Sequence, residues 1–358
     1  MHLAVAISSH GYGHGAQTAA VLTVLRNYYP ALRLTLLTGL PRKFLADRIP
    51  GEFELIDWRG DFGLRMMSAL EADLPRSAAD YAAFHANWDQ RVVETATLLE
   101  RLAPDLLLAN VPYLPLAASA QLGLPSIALC SLNWADIYRH YFSNRPESSG
   151  IIECMLSAYN SAERFLCPAP SMPMPDLNNV HPIGPLARLG RDCRESLCAQ
   201  LGVRASQRIV VIAPGGIPLQ LPLQDWPKVD DVTWIIPDDG VASRTDMHTF
   251  SSLGIGFTDL LASVDGVLGK LGYGTVAECA CNGTPLLYMP RPDWPEEDCL
   301  ATWLKINGRC APVTFEQVVR GELCETLEQV WAQPIPSVPQ PTGAEEAAQI
   351  IVRMLKSE

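Results

Sequence analysis

Residues 265–278 read Asp-Gly-Val-Leu-Gly-Lys-Leu-Gly-Tyr-Gly-Thr-Val-Ala-Glu, and they predict a buried strand, a glycine-rich turn and the start of a helix. In such a turn, phosphate oxygens could meet backbone N–H groups, the ammonium of Lys270 and the hydroxyl of Thr275. Glu278 follows within the helix, where its carboxylate could accept hydrogen bonds from two adjacent sugar hydroxyls. The stretch therefore predicts a strand–turn–helix unit with a site for a diphosphate and its attached ribose.

A second interpretation of these residues requires no ligand. Thr275 could be the N-cap residue of the helix, with Glu278 as its partner in a capping box. That interpretation leaves the glycines around Lys270 unexplained, so we favour the phosphate site.

Outward from this unit, apolar runs alternate with stretches of helical length along the whole chain. This pattern is typical of an α/β protein whose parallel sheet is covered by helices on both faces. The predicted strands are Leu3–Ser8, Leu32–Leu37, Phe53–Ile56, Leu106–Asn110, Ser126–Cys130, Arg164–Cys167, Arg208–Ala213, Val232–Ile236, Gly266–Gly269 and Leu286–Met289. Helices are predicted at Ala16–Tyr28, Ala79–Arg101 and Gly343–Lys356.

Two proline-rich segments divide this pattern. Prolines crowd residues 168–191, where neither a helix nor a central strand can persist, and a second cluster precedes the last helix. A length of 358 residues also favours two domains. We predict an N-terminal domain over 1–167, a linker over 168–191, a C-terminal domain over 192–335 and a tail helix within 336–358 that could cross back to the first domain.

The composition limits the possible partners. With 48% hydrophobic residues and 18% charged residues the chain can bury a core, which excludes intrinsic disorder. A formal net charge of −12 argues against a nucleic-acid binder that neutralises phosphates. The basic cluster Arg26, Arg33, Arg42, Lys43 and Arg48 leaves docking to a lipid phosphate open as an alternative.

The targeting and cysteine patterns favour a cytoplasmic protein. Residues 1–11 lack a basic n-region and read as a first buried strand, so neither a signal peptide nor an anchor is predicted. The uncharged segment 106–135 is interrupted by prolines, which favours a buried strand–turn–helix–strand over a membrane span. The ten cysteines show no zinc-binding spacing, so we expect free thiols and no bound metal.

A second candidate site follows the first predicted strand, where residues 8–15 read Ser-Ser-His-Gly-Tyr-Gly-His-Gly. The glycines differ from the GxGxxG dinucleotide fingerprint, which argues against a nicotinamide dehydrogenase. His10 and His14 fall at the carboxyl end of the sheet, where open α/β folds bind ligands, and histidine can act as a base near neutral pH. The alternative is a turn whose histidines only hydrogen-bond neighbouring loops.

Three short motifs carry a family resemblance. Gly272–Glu278, Asn282–Leu286 and Pro290–Asp298 together resemble the donor-binding signature of the GT-B glycosyltransferases. They are similar in particular to the glycosyltransferase-like N-terminal domain of plant L-arabinokinases. The loop from Gly11 to His14 resembles the first loop of the same superfamily.

This resemblance implies two Rossmann-like domains that face across a cleft, with the acceptor on the first domain and a nucleotide sugar mainly on the second. It implies His14 as the catalytic base, with His10 nearby, and an acceptor-side loop of Gly11, Tyr12, Gly13 and Asn110. Its donor-binding positions are Gly216, Lys270, Gly272, Tyr273, Gly274, Thr275, Glu278, Asp293, Glu296 and Glu297.

The sequence departs from the family at two places. The strand expected to end in the aspartate of a His–Asp pair ends in Asn110, which can orient an imidazole but cannot stabilise its positive charge; Asp136 or Asp61 could substitute. The usual Asp-Gln pair that contacts the sugar is also missing. The acids in 293–298 could equally mark the start of a helix, where the helix dipole favours them.

Our hypothesis from the sequence is a glycosyltransferase that moves a sugar from a nucleotide-diphosphate sugar, such as a UDP-sugar, to an unidentified acceptor hydroxyl. The chain contains no Asp-x-Asp motif, so we expect no metal and no cofactor beyond the sugar donor. Single displacement predicts inversion. The alternatives are a nucleotide-sugar 2-epimerase or hydrolase on the same fold, and a non-catalytic nucleotide-sugar-binding protein.

Overall fold

A computed structural model describes residues 1–68, 71–214, 221–238, 244–291 and 293–356. The chain divides into two compact units. The first unit comprises Met1–Met67, Glu71–Leu186 and Thr342–Glu358, and the second comprises Ala187–Pro341 together with Ser68.

The first unit is built on a parallel sheet of seven described strands. Its strands are β1 (His2–Ile7), β2 (Arg33–Leu37), β3 (Glu54–Ile56), β4 (Leu106–Asn110), β5 (Ser126–Leu129), β6 (Arg164–Pro168) and β7 (Val180–Ile183). The strand order is β3-β2-β1-β4-β5-β6-β7. Strands β2 and β3 therefore lie on one side of β1, and β4 to β7 follow in order on its other side. Every residue of β1 and β4 is buried, as expected for central strands covered on both faces.

Helices cover this sheet, and the last helix of the chain belongs to the same unit. They are α1 (Tyr12–Tyr28), α2 (Arg42–Ala46), α3 (Leu74–His85), α4 (Trp88–Leu102), α5 (Leu114–Leu122), α6 (Trp134–Phe142), α7 (Ser148–Asn160) and, from the other end of the chain, α14 (Gly343–Lys356). α14 packs on α1 and β7 through Ala344, Ala347, Ala348 and Ile351, a helical spacing that forms one apolar stripe.

The second unit repeats the architecture with six described strands. Its strands are β8 (Arg208–Ala213), β9 (Val232–Ile236), β10 (Met247–Thr249), β11 (Gly266–Lys270), β12 (Leu286–Met289) and β13 (Cys310–Pro312), in the order β10-β9-β8-β11-β12-β13. Its helices are α8 (Arg194–Leu201), α9 (Phe257–Ser263), α10 (Tyr273–Cys281), α11 (Glu297–Asn307), α12 (Phe315–Arg320) and α13 (Cys324–Trp331), with short 3-10 turns at Leu223–Asp225 and Phe250–Leu253. Trp234, Leu268 and Leu287 lie in its core.

The α/β prediction is confirmed, with two local corrections. Residues 79–101 are not one helix, because the chain breaks between α3 and α4 at Asn87, and the Arg91 side chain donates a hydrogen bond to the Phe84 carbonyl there (3.1 Å). Residues 168–191, predicted as a linker, contain β7. Pro182 lacks an N–H group, and β7 tolerates it because an edge strand pairs on one side only.

Residues 106–135 fold as predicted, with β4, α5 and β5 in succession. Within the described ranges, no helix combines the length and the apolar composition needed to cross a membrane. All ten cysteines are free thiols.

Candidate functional site

In the first unit, His14 and Asn110 form a buried hydrogen-bonded pair at the carboxyl edge of the sheet. Asn110 is the last residue of β4, and His14 lies in the first turn of α1 with 9% of its surface exposed. His14 Nδ1 lies 3.0 Å from Asn110 Oδ1. The Asn110 amide nitrogen donates to Gln17 Oε1 (3.1 Å), which turns the amide oxygen toward the ring. His14 Nδ1 therefore carries the proton, and Nε2 has a lone pair that can accept one.

The environment keeps the His14 ring neutral. Burial lowers the pKa of His14 to about 4, and the hydrogen bond to Asn110 opposes this shift only in part. Asn110 carries no charge, so it cannot stabilise an imidazolium as a carboxylate would. At neutral pH the ring is a hydrogen-bond acceptor of low basicity.

His10 has the opposite tautomer. The backbone N–H of Leu64 donates to His10 Nδ1 (3.3 Å), so in the neutral ring Nε2 carries the proton. Both histidines contact Trp134, a fully buried residue at the start of α6; the ring centroids of His10 and His14 lie 5.3 Å and 5.9 Å from its ring. His10 can therefore donate a hydrogen bond while His14 can accept one.

Two of the three glycines of the first loop lie next to open space. A Cβ atom built on Gly11 or Gly13 would meet no described atom within 4 Å, whereas one on Gly15 would lie 2.7 Å from Phe44. Between the two open glycines, the Tyr12 ring stacks on Phe44 and is 42% exposed. The backbone of Gly11 and Gly13 is thus accessible to a ligand, while Gly15 is required for packing.

In the second unit, the chain from β11 into α10 leaves a helix N-terminus without a side-chain cap. α10 begins at Tyr273, and its N-cap residue Gly272 has no side chain to accept a hydrogen bond. The capping-box interpretation of Thr275 and Glu278 is therefore wrong, because Thr275 lies inside the first turn. The first N–H groups of a helix lack intrahelical partners and carry partial positive charge, which makes this terminus suited to an anion.

One face of α10 remains accessible beside that terminus. Gly274, Thr275 and Glu278 are half-buried, while the other residues of the helix are buried. Positions 274 and 278 are one helical turn apart, so the Glu278 carboxylate lies on the same face as the N-terminal glycine. A Cβ atom on Gly274 would meet no described atom, whereas one on Gly269 would lie 2.7 Å from the Ala213 carbonyl oxygen.

Lys270, the last residue of β11, places a cation at the same edge. It pairs in register with Met289 of β12, and Arg291 follows two residues later. Burial and the nearby charge of Arg291 lower the pKa of Lys270 to about 8. Among the described carboxylates none lies within ion-pair distance of Lys270. An anionic ligand would therefore offset both the burial of the ammonium and its repulsion by Arg291.

The comparisons with known proteins agree with this architecture. The kitacinnamycin glycotransferase structure matches 99% of this chain and 95% of its own (TM-score 0.64, 15% identity). The calicheamicin glycosyltransferase CalG4 matches 99% and 98% of the two chains (TM-score 0.64, 13% identity). A UDP-glucosyltransferase from Polygonum tinctorium matches 100% and 99% (TM-score 0.60, 14% identity).

The chain has the GT-B fold. The resemblance predicted from the sequence is thereby confirmed at the level of the fold.

Sequence relatives of this GT-B chain are distant. L-arabinokinase of Arabidopsis thaliana is 24% identical over 336 residues, which cover 90% of this chain and 31% of that protein. An uncharacterised glycosyltransferase of Methanopyrus kandleri is 33% identical over 86 residues, or 24% of this chain and 25% of that protein. The chain thus spans about a third of the length of the first relative and a quarter of the second. No protein-family model matches it.

The other residues predicted to bind the donor differ in where they lie in the GT-B fold. Gly216 lies outside the described residues. Asp293 is exposed, and Glu296 is 5% exposed as the N-cap residue of α11. Glu297 accepts a hydrogen bond from the Arg291 backbone N–H and opens α11. The acids of 293–298 therefore form a helix start, as the alternative interpretation predicted, and their contact with a sugar stays a prediction.

Sequence reasoning missed Trp134, Gln17 and Arg291. Trp134 contacts both histidines although it follows them by more than a hundred residues, and Gln17 fixes the Asn110 amide from a position that reads as an ordinary helix residue. Arg291 packs over the Trp294 ring at 4.4 Å. Asp136, suggested as a substitute acid, is instead bound by Asn133 and Arg139 at the start of α6.

Proposed function

We propose that this chain is a glycosyltransferase that transfers a sugar from a nucleotide-diphosphate sugar to an acceptor hydroxyl. The observation that carries the proposal is the uncapped N-terminus of α10 beside the half-buried ammonium of Lys270. A diphosphate would accept hydrogen bonds from the N–H groups of this terminus, and its negative charge would pair with the Lys270 ammonium. UDP is the nucleotide we favour, because similar folds include a UDP-glucosyltransferase.

In this proposal each unit has its own task. The second unit binds the donor, with Lys270 and the α10 N-terminus stabilising the negative charge that develops on the departing diphosphate. In the first unit, His14 Nε2 accepts a hydrogen bond from the acceptor hydroxyl, which then attacks the anomeric carbon. Attack from the side opposite the diphosphate inverts that carbon. Lys270 and the helix N-terminus would perform the task that a metal ion has in other enzymes, so we propose a metal-independent reaction.

One observation favours a second candidate, a nucleotide-sugar-binding protein without turnover. His14 faces Asn110 rather than a carboxylate, and burial lowers its basicity. Product analysis separates the candidates, since a transferase releases the nucleoside diphosphate and a binding protein does not.

A thermal-shift screen tests the donor site. We expect UDP to raise the melting temperature by several degrees at about 100 times its Kd, which corresponds to about 2.7 kcal/mol of stabilisation. GDP, TDP and ADP serve as comparison ligands, each measured with and without magnesium. A shift that requires magnesium would contradict metal independence, and no shift with any nucleotide at millimolar concentration would overturn the donor site.

Replacing Glu278 with Ala is expected to weaken UDP binding about tenfold to a hundredfold, because the two ribose hydroxyls would lose the carboxylate that accepts their charge-assisted hydrogen bonds. Calorimetric titration with UDP and 2′-deoxy-UDP measures this. The wild type should prefer UDP, whereas Glu278→Ala should bind both alike. Glu328→Ala, an exposed acid on α13, is the matched control. If the wild type and Glu278→Ala prefer UDP over 2′-deoxy-UDP to the same degree, Glu278 does not bind the ribose.

A further inference from the structure

Arg291 lies just past the carboxyl end of β12, at the edge of the second sheet where the donor is proposed to bind. β11 and β12 are parallel neighbours with Lys270 opposite Met289, so Arg291 follows two residues beyond the partner of Lys270. In an α/β fold the helices that follow the strands begin at this edge, and ligands bind there. Arg291 and Lys270 thus come from adjacent strand ends beside the starts of α10 and α11.

The side chain of Lys270 runs along the start of α10. A Cβ atom built on Gly272, the N-cap residue of that helix, would lie 3.8 Å from Lys270 Cε. The ammonium is one bond further along this side chain. It therefore lies beside the N–H groups that open α10, and both carry positive charge.

The start of α11 holds both the backbone and the side chain of Arg291. The guanidinium lies over the Trp294 ring, with Cζ 4.4 Å from the ring centroid. The Trp294 N–H donates to the Arg291 carbonyl (2.7 Å), and the Arg291 N–H donates to the Glu297 carboxylate. A guanidinium that lies over a ring keeps its N–H groups in its own plane, where they can donate to two oxygen atoms of one anion. Arg291 is therefore a cation whose orientation is fixed in advance.

The charge of Arg291 acts on groups of both neighbouring elements. Together with burial it lowers the pKa of Lys270, and it opposes the burial that raises the pKa of Glu297. The guanidinium is thus close both to the end of β11 and to the start of α11, and α11 packs on α10. Two cations that approach each other in a half-buried site repel, and an oxyanion that contacts both removes this repulsion.

We propose that Arg291 is a second cation of the donor site, which binds the diphosphate together with Lys270 and stabilises it as it departs. This inference rests on the proposed glycosyltransferase function. The acceptor oxygen bonds to the anomeric carbon and gives up its proton along its hydrogen bond to His14 Nε2. The bond from that carbon to the diphosphate oxygen breaks, and its electron pair stays on the diphosphate.

The leaving diphosphate is a better ligand for two cations than the donor is. After the bond breaks, it carries about one more negative charge than it did in the sugar conjugate. Arg291 and Lys270 therefore bind the departing group more tightly than the intact nucleotide sugar. Only such a difference between the donor and the departing group lowers the barrier of the reaction.

The test is calorimetric titration of wild type and Arg291→Met with uridine, UDP-glucose and UDP. Methionine keeps an unbranched side chain beside Trp294 but removes the charge. We expect UDP binding to weaken about a hundredfold and UDP-glucose binding about tenfold, because the extra charge of UDP loses more. Uridine has no phosphate, so its affinity should stay within about twofold of the wild type. If another nucleotide gives the largest thermal shift, its nucleoside, diphosphate and glucose conjugate are used.

Three further variants separate the charge from the packing. Arg291→Gln also removes the charge and should show a similar loss, which keeps the test available if Arg291→Met does not fold. Arg291→Lys keeps the charge and should retain UDP affinity within about tenfold of the wild type. Arg320→Met removes an exposed arginine of α12 in the same unit and should bind all three ligands like the wild type.

The possible failures are distinguishable. A wild type that binds no nucleotide would overturn both the proposed function and the role of Arg291. A wild type that binds UDP, with neutral Arg291 variants that bind it as tightly, would overturn the role of Arg291 alone. Equal weakening of uridine and UDP, or of UDP-glucose and UDP, would also overturn that role. UDP-glucuronate is titrated in parallel, and a loss confined to this ligand would assign the guanidinium to a sugar carboxylate instead.

Discussion

Replacing Lys270 with Met should weaken UDP binding about 10²–10³-fold, because the diphosphate would lose a charge-assisted partner in a partly desolvated site. The wild type should also lose affinity at high pH. Since the pKa of Lys270 is lowered to about 8, the ammonium deprotonates above that pH, and UDP affinity should fall about tenfold per pH unit. Calorimetric titration between pH 7 and 9.5 measures both effects, in a range where the phosphates of UDP keep their charge.

Lys305→Met, at an exposed lysine on α11 of the same unit, provides the control and should bind UDP like the wild type. Lys270→Met should bind UDP with an affinity that no longer changes above pH 8. If Lys270→Met binds as tightly as the wild type, the diphosphate does not contact this side chain.

The second large effect is on stability between pH 4 and 6, where His14 and Asp61 should act with opposite signs. The pKa of His14 falls from 6.5 to about 4 on folding, so the unfolded chain takes up a proton first and stability is lost as the pH falls from 6.5. Burial in the loop between β3 and α3 raises the pKa of Asp61 from 3.8 to about 6, so its contribution is present below pH 3.8 and is lost as the pH rises through 6. In the wild type the two contributions largely cancel.

Single substitutions should separate the two contributions to the pH dependence of stability. Asp61→Asn should lose about 3 kcal/mol of unfolding free energy, relative to the wild type, as the pH falls from 6.5 to 4. His14→Gln should gain a similar amount, relative to the wild type, as the pH falls from 6 to 4. Urea unfolding at half-unit pH steps measures these differences, with Asp57→Asn, at an exposed carboxylate, as the control. Parallel curves for Asp61→Asn and His14→Gln would contradict both pKa shifts.

The central strands were predictable because each can be recognised from its own residues. β1, β4, β8 and β11 are apolar runs bounded by turn residues, and the sequence places each of them within a residue or two. The strands β7, β10 and β13 were missed because they lie at sheet edges, are three or four residues long and have mixed polarity. Their pairing depends on the neighbouring strand more than on their own composition.

The candidate site was predictable only in part. Motifs located the Lys270 turn and the His14 loop, because glycine and histidine at the end of a strand are visible in one short window. The start of α10 was misplaced, since Thr275 is a better cap than Gly272 when only local propensity is considered. The neighbours of the histidines come from loops and helices far along the chain, and no local pattern predicts which side chains will meet.

The packing of α14 on α1 affects how the protein is made. The first unit combines chain from before Ala187 with the distant stretch Thr342–Glu358, and the two parts meet where the Gly343 N–H donates to the Pro185 carbonyl (3.2 Å). A ribosome finishes α1 long before it reaches α14, so the surface of α1 that α14 covers stays exposed while the second unit is synthesised. A nascent chain stalled before residue 343 would present this surface to chaperones. The first unit can complete its folding only after α14 has been synthesised.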